Sequence, residues 1–226
     1  MALPAKGGTV LFSEMTPPDG GEDAFNDWYD NHHTPSHVRG VPGFLSAHRY
    51  RSPHGPNYLA IYELDSPEVL EHEEYRKRKL TPDAATKAML DGVSGFTRYI
   101  ATETKLHVRD NPDGDPIDAD VVIGVFLAAP PERWPELMHW YDTEHSPMLM
   151  ENRDWLMVRH MEIYDYNPDP FSHLFLHYVR NVSVLDSPEL AAARETQWRN
   201  QLAVEEWFTP LAVTYQKRGT RFLKHA

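Results

Sequence analysis

One segment of this chain is written twice. Asp27-Trp28-Tyr29-Asp30-Asn31-His32-His33-Thr34-Pro35 recurs as His139-Trp140-Tyr141-Asp142-Thr143-Glu144-His145-Ser146-Pro147, with Trp, Tyr, Asp, His and Pro each returning 112 residues later. Phe96-Thr97 and Phe208-Thr209 keep the same spacing, and Asp65-Ser66-Pro67-Glu68 returns downstream as Asp186-Ser187-Pro188-Glu189. In a chain of 226 residues, 112 is almost half the length. The pattern points to two copies of one small fold, each near the roughly 100 residues of a small domain.

Composition narrows what two such copies can do. The formal charge of −12 argues against nucleic acid, which needs clustered Lys and Arg, and against anionic membrane surfaces. Cysteine is absent, which removes disulfides, thiolate nucleophiles and Cys-ligated metals. No run approaches the ~20 apolar residues of a membrane span. Met1-Ala2-Leu3-Pro4 lacks the basic flank and apolar core of a secretion signal, so a cytoplasmic protein is expected.

Hydrophobic patterning gives the same element order in each half. Thr9–Met15 reads as a strand and Glu22–His33 as a helix stopped by Pro35. Phe44–Arg51 and Asn57–Leu64 read as strands, Ser66 onward as a capped helix, and Phe96–Lys105 as a closing strand. The second half reads as Val121–Ala128 strand, Pro131–His145 helix, Leu156–Tyr164 and Leu174–Val184 strands, Pro188–Leu202 helix and Leu211–Lys217 strand. The polar stretch Arg109–Pro116 is the linker, giving units at 1–110 and 117–226. Each βαββαβ unit is ferredoxin-like, with both helices on one face of its sheet. The expected fold is α+β: two tandem units that cover each other's bare faces, sheet on sheet or as an intramolecular barrel.

Residues four apart on a helix share a face. Phe25, Tyr29 and His33 form one such stripe, and Leu137, Tyr141 and His145 its counterpart. The repeated histidine therefore continues the buried face at the end of its helix. An imidazole there, with an ordinary pKa near 6.5, suits general acid–base work. Asp30 and Asp142 stand three residues earlier and either orient the ring or face water. Trp28 and Trp140 read first as core, and a histidine at a helix end is favoured by the helix dipole without any function. His48 and His160 also match at 112, each on the strand after its helix, and would supply a second polar group to the same pocket. A strand histidine can equally point outward. His32, His33 and His37 invite zinc, but Pro35 interrupts the last two and no H-E-x-x-H occurs.

The W-Y-x-x-x-H-x-P helix followed by Val41-Pro42-Gly43-Phe44 resembles the EthD-like branch of the dimeric α+β barrel superfamily. The resemblance covers both halves in layout and is closest between Trp28 and Phe44. It implies a pocket between sheet and helices for a small, often aromatic, substrate. The superfamily includes cofactor-independent monooxygenases, isomerases, cyclases, decarboxylases and haem enzymes. On this basis His33, His48 and Tyr29 are the expected catalytic set. Trp28, His32, His37, Phe44, Tyr141, His145 and His160 are the expected substrate-binding set. In the second half Pro42-Gly43-Phe44 becomes Asp154-Trp155-Leu156, which reshapes or closes that pocket. The expected function is a cofactor-free enzyme using a histidine acid/base on a small aromatic, polyketide-like or lactone-like molecule, by isomerisation, dehydration or decarboxylation. A cofactor-free monooxygenase, a haem protein and a non-catalytic binding module are the alternatives. No cofactor or metal is expected; the expected partners are a small hydrophobic substrate and, in a homodimer, a second copy of the chain.

Overall fold

A computed structural model describes residues 5–110 and 112–224. Met1–Pro4, where the sequence leads us to expect no secretion signal, and Asn111 of the expected linker lie outside the described residues. The fold is mixed α+β, and the chain forms two compact units. Unit 1 runs to Thr102 and takes in Asp165–Pro168 and the chain from Lys217; unit 2 comprises Glu103–Tyr164 and Asp169–Gln216. These divisions fall inside strands rather than at Arg109–Pro116.

In unit 1, β1 (Thr9–Thr16) is almost wholly buried. It lies antiparallel between β3 (Tyr58–Leu64), with Thr9 opposite Leu64, and β4 (Ser94–Val108), with Thr9 opposite Thr102. On the far side of β3 lies β2 (Phe44–Arg51). The helical segments are α1 (Glu22–Trp28), α2 (Thr34–Val38), α3 (Glu73–Leu80) and α4 (Ala84–Gly92). They cover a core that includes Phe25, Val38, Phe44 and Leu64.

Unit 2 has the strands β5 (Val121–Leu127), β6 (Trp155–Asn167) and β7 (His173–Val179). It has the helices α5 (Trp134–Trp140), α6 (Ser146–Glu151), α7 (Pro188–Arg194) and α8 (Gln197–Ala203). β7 lies between β5 and β6, and β5 also pairs with β8 (Leu211–Leu223). The strand order is β4-β1-β3-β2 in unit 1 and β8-β5-β7-β6 in unit 2. β4 and β8 are long because each gives one portion to either unit.

Several expectations are corrected. Pro35 and Pro147 do not stop their helices. A π turn at Tyr29–His33, and another at Tyr141–His145, precedes each proline, with the Thr34 N–H bonding the Tyr29 carbonyl and the Ser146 N–H the Tyr141 carbonyl. Each proline then stands in the first turn of the next helical segment, where its missing N–H costs nothing. Val182–Val184 belongs to a 3-10 turn rather than β7, and Pro188–Leu202 splits into α7 and α8.

Two of the sequence echoes are not positional. Ser66 heads a 3-10 turn (Pro67–Glu71), whereas Ser187 caps α7 by accepting the Leu190 N–H; the 3-10 turn Val182–Asp186 of unit 2 is headed by Asn181. Phe96 is exposed on β4, while Phe208 is buried before β8. The match of His48 with His160 also fails. Phe44 lies opposite Leu64 where Trp155 lies opposite Val179, and both strands then carry a bulge at the same rung. By these ladders Arg49, opposite Ala60, takes the place of His160, opposite Phe175, and His48 takes that of Arg159. The second copy enters its strand one residue earlier, so Phe44 corresponds to Trp155. At Gly43, just before β2, a φ of +85° and a Cβ that would fall 2.3 Å from Val69 Cγ2 demand glycine.

Candidate functional site

Unit 1 holds a cavity of about 460 Å³. Tyr29 and His33 line it from the π turn, His37 from α2, Tyr62 from β3 and Tyr75 from α3. The π turn turns His33 toward the cavity; its ring lies 4.4 Å from that of Trp28, 5.0 Å from Tyr29 and 4.5 Å from His37. Among the described residues no group hydrogen-bonds either ring nitrogen of His33. Burial, with His37 and His32 as neighbours, pushes the His33 pKa well below 6.5, so the ring is neutral at pH 7. His37 is neutral for the same first reason, and its Nδ1 donates to the His33 carbonyl at 2.9 Å. That bond fixes the tautomer and leaves Nε2 with a lone pair.

Tyr62 is 2% exposed, and its hydroxyl makes no hydrogen bond although the Tyr29 and Thr34 hydroxyls are its neighbours. Burial raises the pKa values of Tyr62 and Tyr29, so both remain protonated donors. Arg49 lies 4.3 Å over the Tyr29 ring and donates to Asp30 at 2.5 Å and to Asn26 at 2.8 Å. Arg218 takes the other Asp30 oxygen at 2.5 Å. At the cavity mouth His32 Nε2 meets Asp83 at 2.9 Å. Asp83 caps α4 by accepting the Thr86 N–H, which, with His32, holds its carboxyl well below the usual range.

Four of the expected residues, Tyr29, His32, His33 and His37, thus meet at one cavity. Three do not reach it. His48 lies on the opposite face of β2 because side chains alternate: Ala47 and Arg49 face the helices, while His48 pairs with the Tyr50 hydroxyl at 3.2 Å. Trp28 is core, its indole N–H donating to Thr86 at 3.3 Å. Phe44 is fully buried behind the His37, Tyr62 and Tyr75 rings. Tyr62 was not foreseen; the alternation of Tyr58, Ala60 and Tyr62 along one face of β3 was its signal.

Unit 2 departs at the same positions. Tyr141 stacks on Phe175 at 3.6 Å, and its hydroxyl lies 2.8 Å from His177 Nε2. The Trp155 indole donates to His177 Nδ1, so Nε2 carries the proton and donates to Tyr141. His145 is 9% exposed and packs on Trp140 and Tyr141; burial lowers its pKa to about 4. Neither Tyr141 nor His145 lines the cavity of about 370 Å³ in this unit, which His160, His173, Asp142 and Trp134 do line. His160 is wholly buried, with Nε2 2.9 Å from Ser146 Oγ and Nδ1 without a partner. His107 Nε2 meets Asp142 Oδ1 at 2.8 Å, and Lys105 Nζ meets Oδ2 at 3.1 Å.

No helix of the described residues is long and apolar enough to cross a membrane. No protein-family model matches the chain, and no curated protein does. Solved structures resemble it. A structure described as an anthrone oxidase-like protein matches with a TM-score of 0.67 at 13% identity, over 99% of this chain and 96% of its own. A protein provisionally described as a monooxygenase from Lactobacillus acidophilus NCFM gives 0.58 at 8% identity, over 96% and 97%. One provisionally described as a chlorite dismutase gives 0.58 at 12%, over 93% and 95%. At these identities the likeness is one of fold.

Proposed function

We propose that unit 1 is a cofactor-independent acid–base enzyme of the tandem, EthD-like kind, acting on a small aromatic, polyketide-like or lactone-like carbonyl compound. The observation that carries this reading is the pairing of an unbonded, neutral His33 imidazole with an unpartnered Tyr62 hydroxyl in one aromatic cavity. His33 takes a proton from carbon next to the carbonyl, and the electrons of that C–H bond move to the carbonyl oxygen. Tyr62 donates to the oxygen as its charge develops, with Tyr29 beside it. The imidazolium is disfavoured by burial and gives the proton back. Return to a different carbon completes an isomerisation; return to a departing hydroxyl completes a dehydration, with water as the leaving group. Positioned proton transfer contributes about 10²–10⁴-fold, and one oxyanion donor about 10²–10³-fold. His37, with its tautomer fixed, holds a second polar atom of the substrate.

The anthrone oxidase-like and monooxygenase neighbours favour a second reading, in which the same carbanion reacts with dioxygen. Native mass spectrometry against hydroxylated aromatic ketones and lactones tests both. A bound compound should exchange its acidic C–H for deuterium in D₂O with the wild-type chain and not with His33→Ala. Oxygen uptake on the same compound selects the second reading. Absence of exchange in the wild type with every bound compound overturns the acid–base assignment.

A further inference from the structure

The Asp of the repeated motif has different company in the two units. In unit 1, Asp30 is held between two guanidiniums, Arg49 and Arg218, each at 2.5 Å. In unit 2, Asp142 has the imidazole of His107 at 2.8 Å, and the strand position of Arg49 is taken by His160. An arginine clamp cannot ligate a cation; two imidazoles and a carboxylate can. One ligating atom each from His107, Asp142 and His160 lies within 4.8 Å of the other two. His160 is wholly buried, its Nε2 is taken by Ser146 Oγ, and its Nδ1 lone pair has no protein partner. An imidazole held through one nitrogen with the other bare is how metal-bound histidines are oriented. Both His160 and Asp142 line the 370 Å³ cavity of unit 2, so positions on a bound ion would remain open to it.

We propose that unit 2 carries a binding site for one divalent transition-metal ion, formed by His107, Asp142 and His160, in the two-histidine, one-carboxylate donor class suited to zinc, cobalt or ferrous iron. His107 exchanges its hydrogen bond to Asp142 Oδ1 for the metal, and Oδ1 becomes a ligand while Oδ2 stays on Lys105. Ser146 is a positioning residue, accepting the Nε2 proton so that Nδ1 faces the ion. Lys105 opposes the site, because its charge is 3.1 Å from the ligating carboxylate. Residues 107, 142 and 160 match no ligand spacing, and the ladder of β6 on β7 is needed to place His160.

The test uses the full chain, stripped with a chelator, and titrated with Zn²⁺ by calorimetry and Co²⁺ by visible absorption. The expected result is one equivalent per chain, with cobalt d–d bands of a nitrogen–oxygen site. His107→Ala, whose ring is part-exposed, should abolish both signals, as should Asp142→Asn. Ser146→Ala should weaken binding ~10–100-fold, as loss of an outer partner does. Lys105→Met should tighten it, and His54→Ala, on the surface of unit 1, should leave it unchanged. Binding that survives His107→Ala and Asp142→Asn, or no binding by the wild-type chain, overturns the site.

Discussion

At the scale of single residues, Tyr62 separates function from stability. Its hydroxyl is buried without a partner, so the fold already bears the cost of desolvating it. Tyr62→Phe should therefore leave the melting temperature unchanged or raise it. If the hydroxyl serves a developing oxyanion, the same change should lower kcat by about 10²–10³-fold with little effect on KM. A fall in stability without a fall in kcat would make Tyr62 structural. His33→Ala should remove turnover with circular dichroism unchanged, since the ring bonds to nothing in the described residues. The pH profile carries its own sign. Burial holds His33 well below 6.5, so the base form persists on acidification, and the acid limb of kcat/KM should fall below pH 6.5. A limb above 6.5 would mean that another group is being read.

At the scale of elements, the sequence was legible where patterning is local and illegible where register decides. The strands, the helical stripe and the burial of Tyr29 and Tyr141 follow from apolar periodicity. The π turn does not, because the proline reads as a stop unless the preceding turn is widened to the bond between Thr34 N–H and Tyr29 carbonyl. That widening puts His33 and His37 side by side, against the expectation that Pro35 separates them. The entry to β2 likewise hides a shift of one residue. It turns His48 away from the helices and sets Arg49 over the Tyr29 ring, because a one-residue slip reverses every side chain of a strand. Gly43 holds that entry. Gly43→Ala places a Cβ against Val69 in a left-handed conformation and should destabilise the chain by about 1–3 kcal/mol in urea unfolding. Gly114, whose φ is also positive but which has open space around it, is the control: its replacement meets no clash.

At the scale of the whole molecule, the two copies have spent the same motif differently. Unit 1 keeps Tyr29 and His33 at a cavity. Unit 2 closes Tyr141 between Phe175 and His177 and buries His145 against Trp140. The equal spacing in the sequence could not reveal this, because Phe175 and His177 stand where unit 1 has Ala60 and Tyr62. The closure carries a consequence for the entire fold. Burial holds His145 and His173 near a pKa of about 4 and pushes His177 well below 6.5, whereas the unfolded chain titrates near 6.5. Above about pH 7 neither state binds these protons, and stability is flat with respect to them. Between 6.5 and 4 the unfolded chain binds protons that the folded chain refuses, so stability falls as pH falls. Each histidine contributes a slope of about 1.4 kcal/mol per pH unit in that window. Against the 5–15 kcal/mol typical of a domain, three such groups suffice for cooperative acid unfolding well above the carboxylate range. Urea unfolding at half-unit steps from pH 7.5 to 4.5 should show this loss, and His173→Leu should make its slope shallower by one proton. A stability that holds level to pH 5 would mean that these rings are charged in the folded chain.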